Sequence, residues 1–180
     1  MKKITYLLLI AILFSASFLT SCRKEMKREA ALKDLKTVES ETLGKSTVDP
    51  QLGRKLLERY EYFANTFPED SANAINCLIK AGEVANSMQD GRAAEQLLIS
   101  ALQKYPNHEK TPKALFMLAF CYENTLAEQA KAGERYKEFL QKYPNDKLAA
   151  SAQASLQNLG KTPEELVKEF EAKNAGKWIK

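Results

Sequence analysis

Several residue types on which catalysis and metal binding depend are nearly missing from this chain. Its 180 residues include one histidine (His108), one tryptophan (Trp178), three cysteines, six prolines and seven glycines. With a single histidine, no Ser-His-Asp constellation and no His/Cys pair at metal-ligand spacing can be placed. His108 follows Tyr105-Pro106-Asn107 in what reads as a turn, where a histidine is ordinarily solvated. No glycine-rich phosphate loop is present. The formal charge is a mild +4, and no basic block invites nucleic acid. The acidic pair Glu164-Glu165 falls in the first turn of a predicted helix, where the macrodipole accounts for it. An enzyme is therefore not expected, and no catalytic residue, cofactor or metal ligand is assigned. The same scarcity of glycine and proline, beside abundant Ala, Leu, Lys and Glu, favours helix.

A short phrase recurs. Phe67-Pro68, Tyr105-Pro106 and Tyr143-Pro144 are spaced by 38 residues, twice over. The last two copies extend to Gln103-Lys104-Tyr105-Pro106-Asn107 and Gln141-Lys142-Tyr143-Pro144-Asn145. A fixed period of this size marks stacked, similar supersecondary units. Each aromatic closes a helix-like run, and the proline after it cannot continue that helix.

The amino-terminal segment has another character. Lys2 and Lys3 precede an apolar run, Ile4 to Leu19, followed by Thr20, Ser21 and Cys22. A charged start, an apolar centre and small residues describe a secretory signal. The run falls short of the roughly 20 residues a bilayer core needs. Leu19-Thr20-Ser21-Cys22 resembles the lipobox of bacterial lipoproteins. That resemblance implies a leader over residues 1–21, removed before Cys22, and a diacylglycerol on the Cys22 thiol. It implies a place in the bacterial cell envelope, anchored to a membrane, with the periplasmic side of the outer membrane as the expected destination. The alternatives are an uncleaved anchor or an ordinary signal peptide with a chance cysteine. Residues 22–49 read as the tether. Arg23, Lys24, Lys27 and Arg28 would lie beside lipid head groups or form a solvated stalk. Met26, Ala30, Leu32, Leu35 and Val38 have partly helical spacing, so the tether is either an amphipathic helix or a loose stalk.

From Asp49, an N-cap before Pro50, a helix is predicted to about Asn65, burying Leu52, Leu56, Tyr60, Phe63 and Phe67. Further helices are predicted over Ser71 to Met88, Ala93 to Lys104, Thr111 to about Tyr122, and Ala130 to Lys142. Two more run from Lys147 to Leu159 and onward from Pro163. Thr111 and Thr162 read as N-caps before prolines, Asp146 caps the Lys147 helix, and Gly160 ends it.

This pattern resembles the tetratricopeptide repeat family. Ala81-Gly82 and Leu118-Ala119 match the Leu-Gly pair of the family's first helix; Leu78 and Leu115 match its early large residue, and Tyr122 its late tyrosine. Ala94, Leu98, Ala101 and Pro106 match the second helix, as do Ala132, Tyr136, Phe139 and Pro144. Small residues belong where two helices cross closely. Ala85 stands where tyrosine is common and Phe139 where alanine is, and the period exceeds the usual ~34 residues. The resemblance implies an all-α superhelix of stacked helical hairpins over residues 50–160, with 161–180 a capping helix and tail. The longer period with Tyr-Pro-Asn is similar to two groups of envelope proteins, the lipoproteins of outer-membrane β-barrel assembly and the coordinators of the Tol-Pal system.

In this family the first helices line a groove that holds peptide segments. The matching positions are Asn76, Ile79, Glu83 and Asn86, then Lys113, Phe116, Phe120 and Glu123. Phe116 and Phe120 either receive a partner's apolar segment or lie under this chain's own carboxy-terminal helix through Val167, Phe170 or Trp178. The repeat registry sets Cys77 and Cys121 seven residues apart on neighbouring helices. That is roughly 10 Å of rise, beyond disulfide reach, so both read as small core residues. The implied function is a non-enzymatic scaffold or adaptor binding envelope proteins or peptide segments. The alternative is an accessory factor handling outer-membrane protein or peptidoglycan substrates.

Overall fold

The computed structural model describes residues 23–42 and 49–174. Every described element is an α-helix, in agreement with the all-α class. The chain divides into two compact units, Met1–Cys77 and Leu78–Lys180, with the boundary inside a helix. The predicted leader, Cys22 and Trp178 lie outside the described residues.

In the first unit, α1 (residues 23–42) pairs with α2 (Pro50–Thr66). Leu35, Val38 and Thr42 step by three and four and are buried, which makes α1 an amphipathic helix and not a loose stalk. Across the hairpin, the Tyr60 hydroxyl donates to Glu39 Oε1 at 2.5 Å, and Arg59 meets Asp34 at 2.7 Å. Two of the four basic residues after Cys22 are engaged with acids. Lys24 pairs with Glu69, and Arg28 with Asp70, both at 2.7 Å. The hairpin architecture therefore starts near residue 23, earlier than the expected residue 50. Asp49 caps α2 as predicted, accepting from the N–H groups of Gln51 and Leu52. Leu56, Tyr60 and Phe63 fill the core behind it, with Leu52 half-buried.

The helix α3 (Ser71–Ser87) leads into the second unit. There follow α4 (Gly91–Lys104), α5 (Thr111–Asn124), α6 (Gln129–Lys142), α7 (Ala149–Asn158) and α8 (Pro163–Asn174). Neighbours in sequence are neighbours in space: α4 packs on α5, α5 on α6 and α6 on α7. Cys77 and Cys121 are both buried and neither forms a disulfide, as the registry argued.

The 38-residue period extends into the backbone. Phe67, Tyr105 and Tyr143 each stand at a helix C-cap with nearly the same dihedrals: φ/ψ of −127/53°, −131/56° and −133/54°. Three residues on, Asp70, His108 and Asp146 each donate a backbone N–H to that aromatic's carbonyl, at 3.1, 3.3 and 3.1 Å. Their side chains then accept from the chain ahead: Asp70 from Asn73, His108 through Nδ1 from Lys110, and Asp146 from Leu148. His108 is thus half-buried and tied into the turn, not freely solvated. It holds the place that aspartate holds in the other two turns, because an unprotonated ring nitrogen is also an acceptor.

These turns move two predicted caps. Thr111 is the first helical residue of α5 rather than its cap, and its hydroxyl donates to the Tyr105 carbonyl at 2.6 Å. Asp146 bonds the turn, and α7 begins later, at Ala149. A second recurrence lies between the helices of each hairpin. Gln89 and Ala127, 38 residues apart, both take a left-handed conformation (φ 61° and 55°). The last helix starts with Thr162 and Glu165 capping each other's backbone N–H. Gly160, at φ 78°, ends α7 as expected.

Candidate protein-interaction surface

The eight residues predicted to line a groove have different surroundings. Ile79 and Asn86 are buried, and Asn86 Oδ1 accepts from the Thr125 hydroxyl at 3.0 Å. Both are core positions, because the face of α3 that carries them is covered. Asn76 is half-buried. Lys113 on α5 pairs with Glu83 on α3 at 2.7 Å, bridging two first helices. Glu123 accepts from the Tyr136 hydroxyl at 2.6 Å, so its charge is directed into its own hairpin. Phe116 packs edge-on against Tyr136 and Phe139, at centroid distances of 5.8 and 5.9 Å. Phe120 is different: 39% of it is exposed. On α8, Val167 and Phe170 are more exposed still, so neither covers it.

What the α5 face offers a partner is therefore an apolar patch at Phe120, beside a Glu83–Lys113 ion pair that is already made. A pair of this kind, with side chains 35% and 46% exposed, adds little stability but fixes the local charge pattern.

The second unit holds two features the sequence reading missed. One is a polar junction where α4, α5 and α6 meet. Tyr122 donates to Glu95 at 2.7 Å, Arg92 bridges Glu95 and Glu128, and Lys131 reaches Glu128 while lying 5.2 Å from the Tyr122 ring centroid. Beneath it, the Cys121 thiol donates to the Gly91 carbonyl at 3.4 Å, and burial pushes the thiol up to about 11. Burial and the neighbouring Glu95 push Tyr122 up to about 12. Burial alone would raise Glu95, but the Tyr122 hydroxyl and Arg92 outweigh it and hold the carboxyl below its ordinary value. Lys131 and Arg92 hold Glu128 low as well. The spacing of Arg92 to Glu95 and Glu128 to Lys131, i to i+3, was a legible signal. The link to Tyr122, 27 residues from Glu95, was not.

A pH dependence follows with a definite sign. Both carboxyls are depressed in the folded chain. Their stabilisation is complete above the ordinary carboxylate pKa of about 4.3 and is lost as pH falls through the folded values. The urea midpoint should hold from pH 7 to 6 and fall towards pH 3. Glu95→Gln should cost about 1–2 kcal/mol at pH 6 and flatten that fall. A Glu95→Gln profile parallel to wild type would show that the junction does not carry the effect.

The other feature is a cavity of about 420 Å³ among α4, α5 and α6. Leu102, Leu115, Leu118 and Tyr143 make its apolar wall, with Ile99 and Pro106 beside them. Arg135, Glu138 and Lys142 stand at its rim, and Glu138 holds both cations, at 2.6 and 2.8 Å. Burial opposes the Glu138 charge, but the two cations outweigh it and keep the carboxyl below its ordinary range. This cavity lies between the second helices α4 and α6 and the side of α5 that carries Thr111, Leu115 and Leu118, whereas the predicted α5 positions are Lys113, Phe116, Phe120 and Glu123. That is why a reading confined to those positions passed it by.

Among the described residues, no group of three His, Cys, Asp or Glu side chains could hold a metal. No described helix is long and apolar enough to cross a membrane. Residues 113–146 match the family model described as tetratricopeptide repeat. That match covers most of α5, all of α6 and the third Phe/Tyr-Pro turn. No curated protein matches the chain. Repeats of this kind generally mediate protein–protein interaction, and the α5–α6 hairpin is one of them.

Proposed function

We propose that this chain is a non-enzymatic scaffold or adaptor of the bacterial cell envelope, lipid-anchored at Cys22, that binds an apolar segment of an envelope protein on the α5 face. The observation that carries the binding part is the exposed Phe120 on a first helix of a tetratricopeptide repeat. The anchor part rests on Leu19-Thr20-Ser21-Cys22 following a charged and apolar leader. Two acyl chains on one cysteine would suffice for stable attachment, which a single chain does not provide. Repeat stacks suit adaptors because each hairpin extends one continuous surface.

One experiment addresses both parts: cross-linking in the native cell from a photoreactive residue at Asn124, one helical turn past Phe120, followed by fractionation. The wild-type chain should be membrane-bound, label with lipid and capture a discrete envelope protein. Cys22→Ser should lose the label and enter the soluble fraction, and unchanged attachment would refute the anchor. Phe120→Glu should abolish capture while shifting stability by no more than about 1 kcal/mol. Capture that survives this change would remove Phe120 from the binding surface. Binding that required peptidoglycan, with no defined protein partner, would turn the reading towards substrate handling.

A further inference from the structure

The folded body begins where the proposed lipid attachment ends. Helix α1 runs from residue 23, one peptide bond after Cys22, and consecutive Cα atoms are about 3.8 Å apart. Its first turns are clamped to the body. Lys24 pairs with Glu69 and Arg28 with Asp70, both at 2.7 Å, and Arg28 also bonds Glu25. Glu69 and Asp70 follow Phe67-Pro68 in the turn after α2, so the start of α1 cannot swing away from its own hairpin without breaking those pairs. The outward side of these turns has a definite character. Arg23, Met26 and Lys27, spaced i, i+3 and i+4, share one face and are exposed, Met26 at 67%. Among the described residues Arg23 and Lys27 make no ion pair, unlike Lys24 and Arg28. Farther along the same face come Asp34, Thr37 and Glu41, and Asp34 is held by Arg59. The face therefore turns from basic and apolar to acidic and polar within about 16 Å of Met26. The polar head-group zone of a bilayer is about 5–7 Å deep on each side. Only the first turn or so of a helix anchored at its start fits inside that depth, and here that turn is the basic, apolar one.

We propose that Arg23, Met26 and Lys27 form a membrane-contact surface that seats the α1–α2 hairpin on the bilayer. Met26 lies at the boundary of head groups and acyl chains, the two cations face anionic phosphate head groups, and the hairpin stands off the membrane. The inference rests on the Cys22 anchor and deepens it: the lipid supplies attachment, and this face supplies orientation. Two cations and one thioether attract a membrane only weakly, and the charge part is screened by salt. Weak attraction suffices here because the anchor already holds the face against the surface at high effective concentration. The clamp of Lys24 and Arg28 on Glu69 and Asp70 then passes the orientation of one helical turn to the whole hairpin.

The test uses the full-length lipidated chain, reconstituted from its native membrane into phosphatidylcholine vesicles containing phosphatidylglycerol. A fluorophore is attached to one added thiol, at Ala30→Cys one turn above the contact or at Thr37→Cys farther along the same face. Cys77 and Cys121 are buried, so the added thiol takes the label. Phospholipids carrying a nitroxide on the head group act as quencher. The Ala30→Cys label should be strongly quenched, and the Thr37→Cys label, about 10 Å higher along α1, hardly at all. Met26→Glu with Lys27→Glu should shift the balance between seated and free hairpin at least about tenfold. Quenching at Ala30→Cys should then drop to the Thr37→Cys level, with lipid labelling and membrane attachment unchanged. Equal quenching at the two positions in an attached, lipid-labelled chain would overturn this inference and leave the anchor standing. So would quenching that ignores the Met26→Glu, Lys27→Glu pair of changes. A wild-type chain that carries no lipid would overturn the anchor and this inference together.

Discussion

Phe139→Ala should be among the most damaging single substitutions in the second unit, costing about 3–5 kcal/mol and lowering the melting temperature by roughly 10 °C. Family pattern alone argues the opposite, since alanine is common at this place and Ala101 holds it one repeat earlier. The structure gives Phe139 another role. It is fully buried, and its ring meets Phe116 at 5.9 Å and Tyr143 at 5.6 Å. Truncation would open a cavity between α5 and the third Phe/Tyr-Pro turn and remove two aromatic contacts, each contributing about 0.5–1.5 kcal/mol. Phe139→Leu, which keeps most of the volume, should cost well under half as much. A loss below about 1 kcal/mol for Phe139→Ala would mean that the surrounding side chains collapse into the space, and that Phe116 has no fixed seat.

Gly82→Val should be nearly as harmful for the reverse reason. A Cβ built at Gly82 would lie 2.8 Å from Cγ and 2.9 Å from Cδ2 of Leu98, which is itself fully buried. Overpacking of this kind costs about 1–3 kcal/mol, and a branched side chain adds χ1 restriction in the helix. The diagnostic is a double-mutant cycle. Leu98→Ala alone should cost about 2–5 kcal/mol, but beside Gly82→Val it should cost at least about 1 kcal/mol less. Additive losses, measured by urea denaturation, would show that the two residues do not compete for one space.

Much of this was legible because the repeat speaks in local terms. The Phe/Tyr-Pro phrase marked where helices stop, since proline cannot donate to the preceding turn. Asp49, Thr162 and Gly160 announced helix ends through their own backbone chemistry. Alanines and leucines at three- and four-residue steps announced the buried faces, and Ala94, Leu98, Ala132 and Tyr136 are indeed fully buried. The role of His108 was legible only in part. Its spacing from Asp70 and Asp146 is the same 38 residues, but histidine and aspartate look alike only as acceptors.

The interaction surface was far less legible. Position in a family pattern names a face of a helix, not what already occupies it. Glu83, Lys113, Asn86 and Glu123 look like recognition groups in one dimension. In three dimensions they are engaged by Lys113, Glu83, Thr125 and Tyr136. Phe116 and Phe120 are four residues apart on one helix, yet Phe116 leans into the α6 aromatics while Phe120 stays open.

By itself, the sequence determined the helical class, the period, most helix ends and most of the core, because propensity, capping and periodicity act within a few residues along the chain. Tertiary structure alone decided which polar groups are consumed, where the α4–α5–α6 cavity opens, and that Phe120 and Phe170 remain uncovered. Those outcomes depend on pairs such as Glu95 with Tyr122 and Gly82 with Leu98, whose meeting is set by how helices cross.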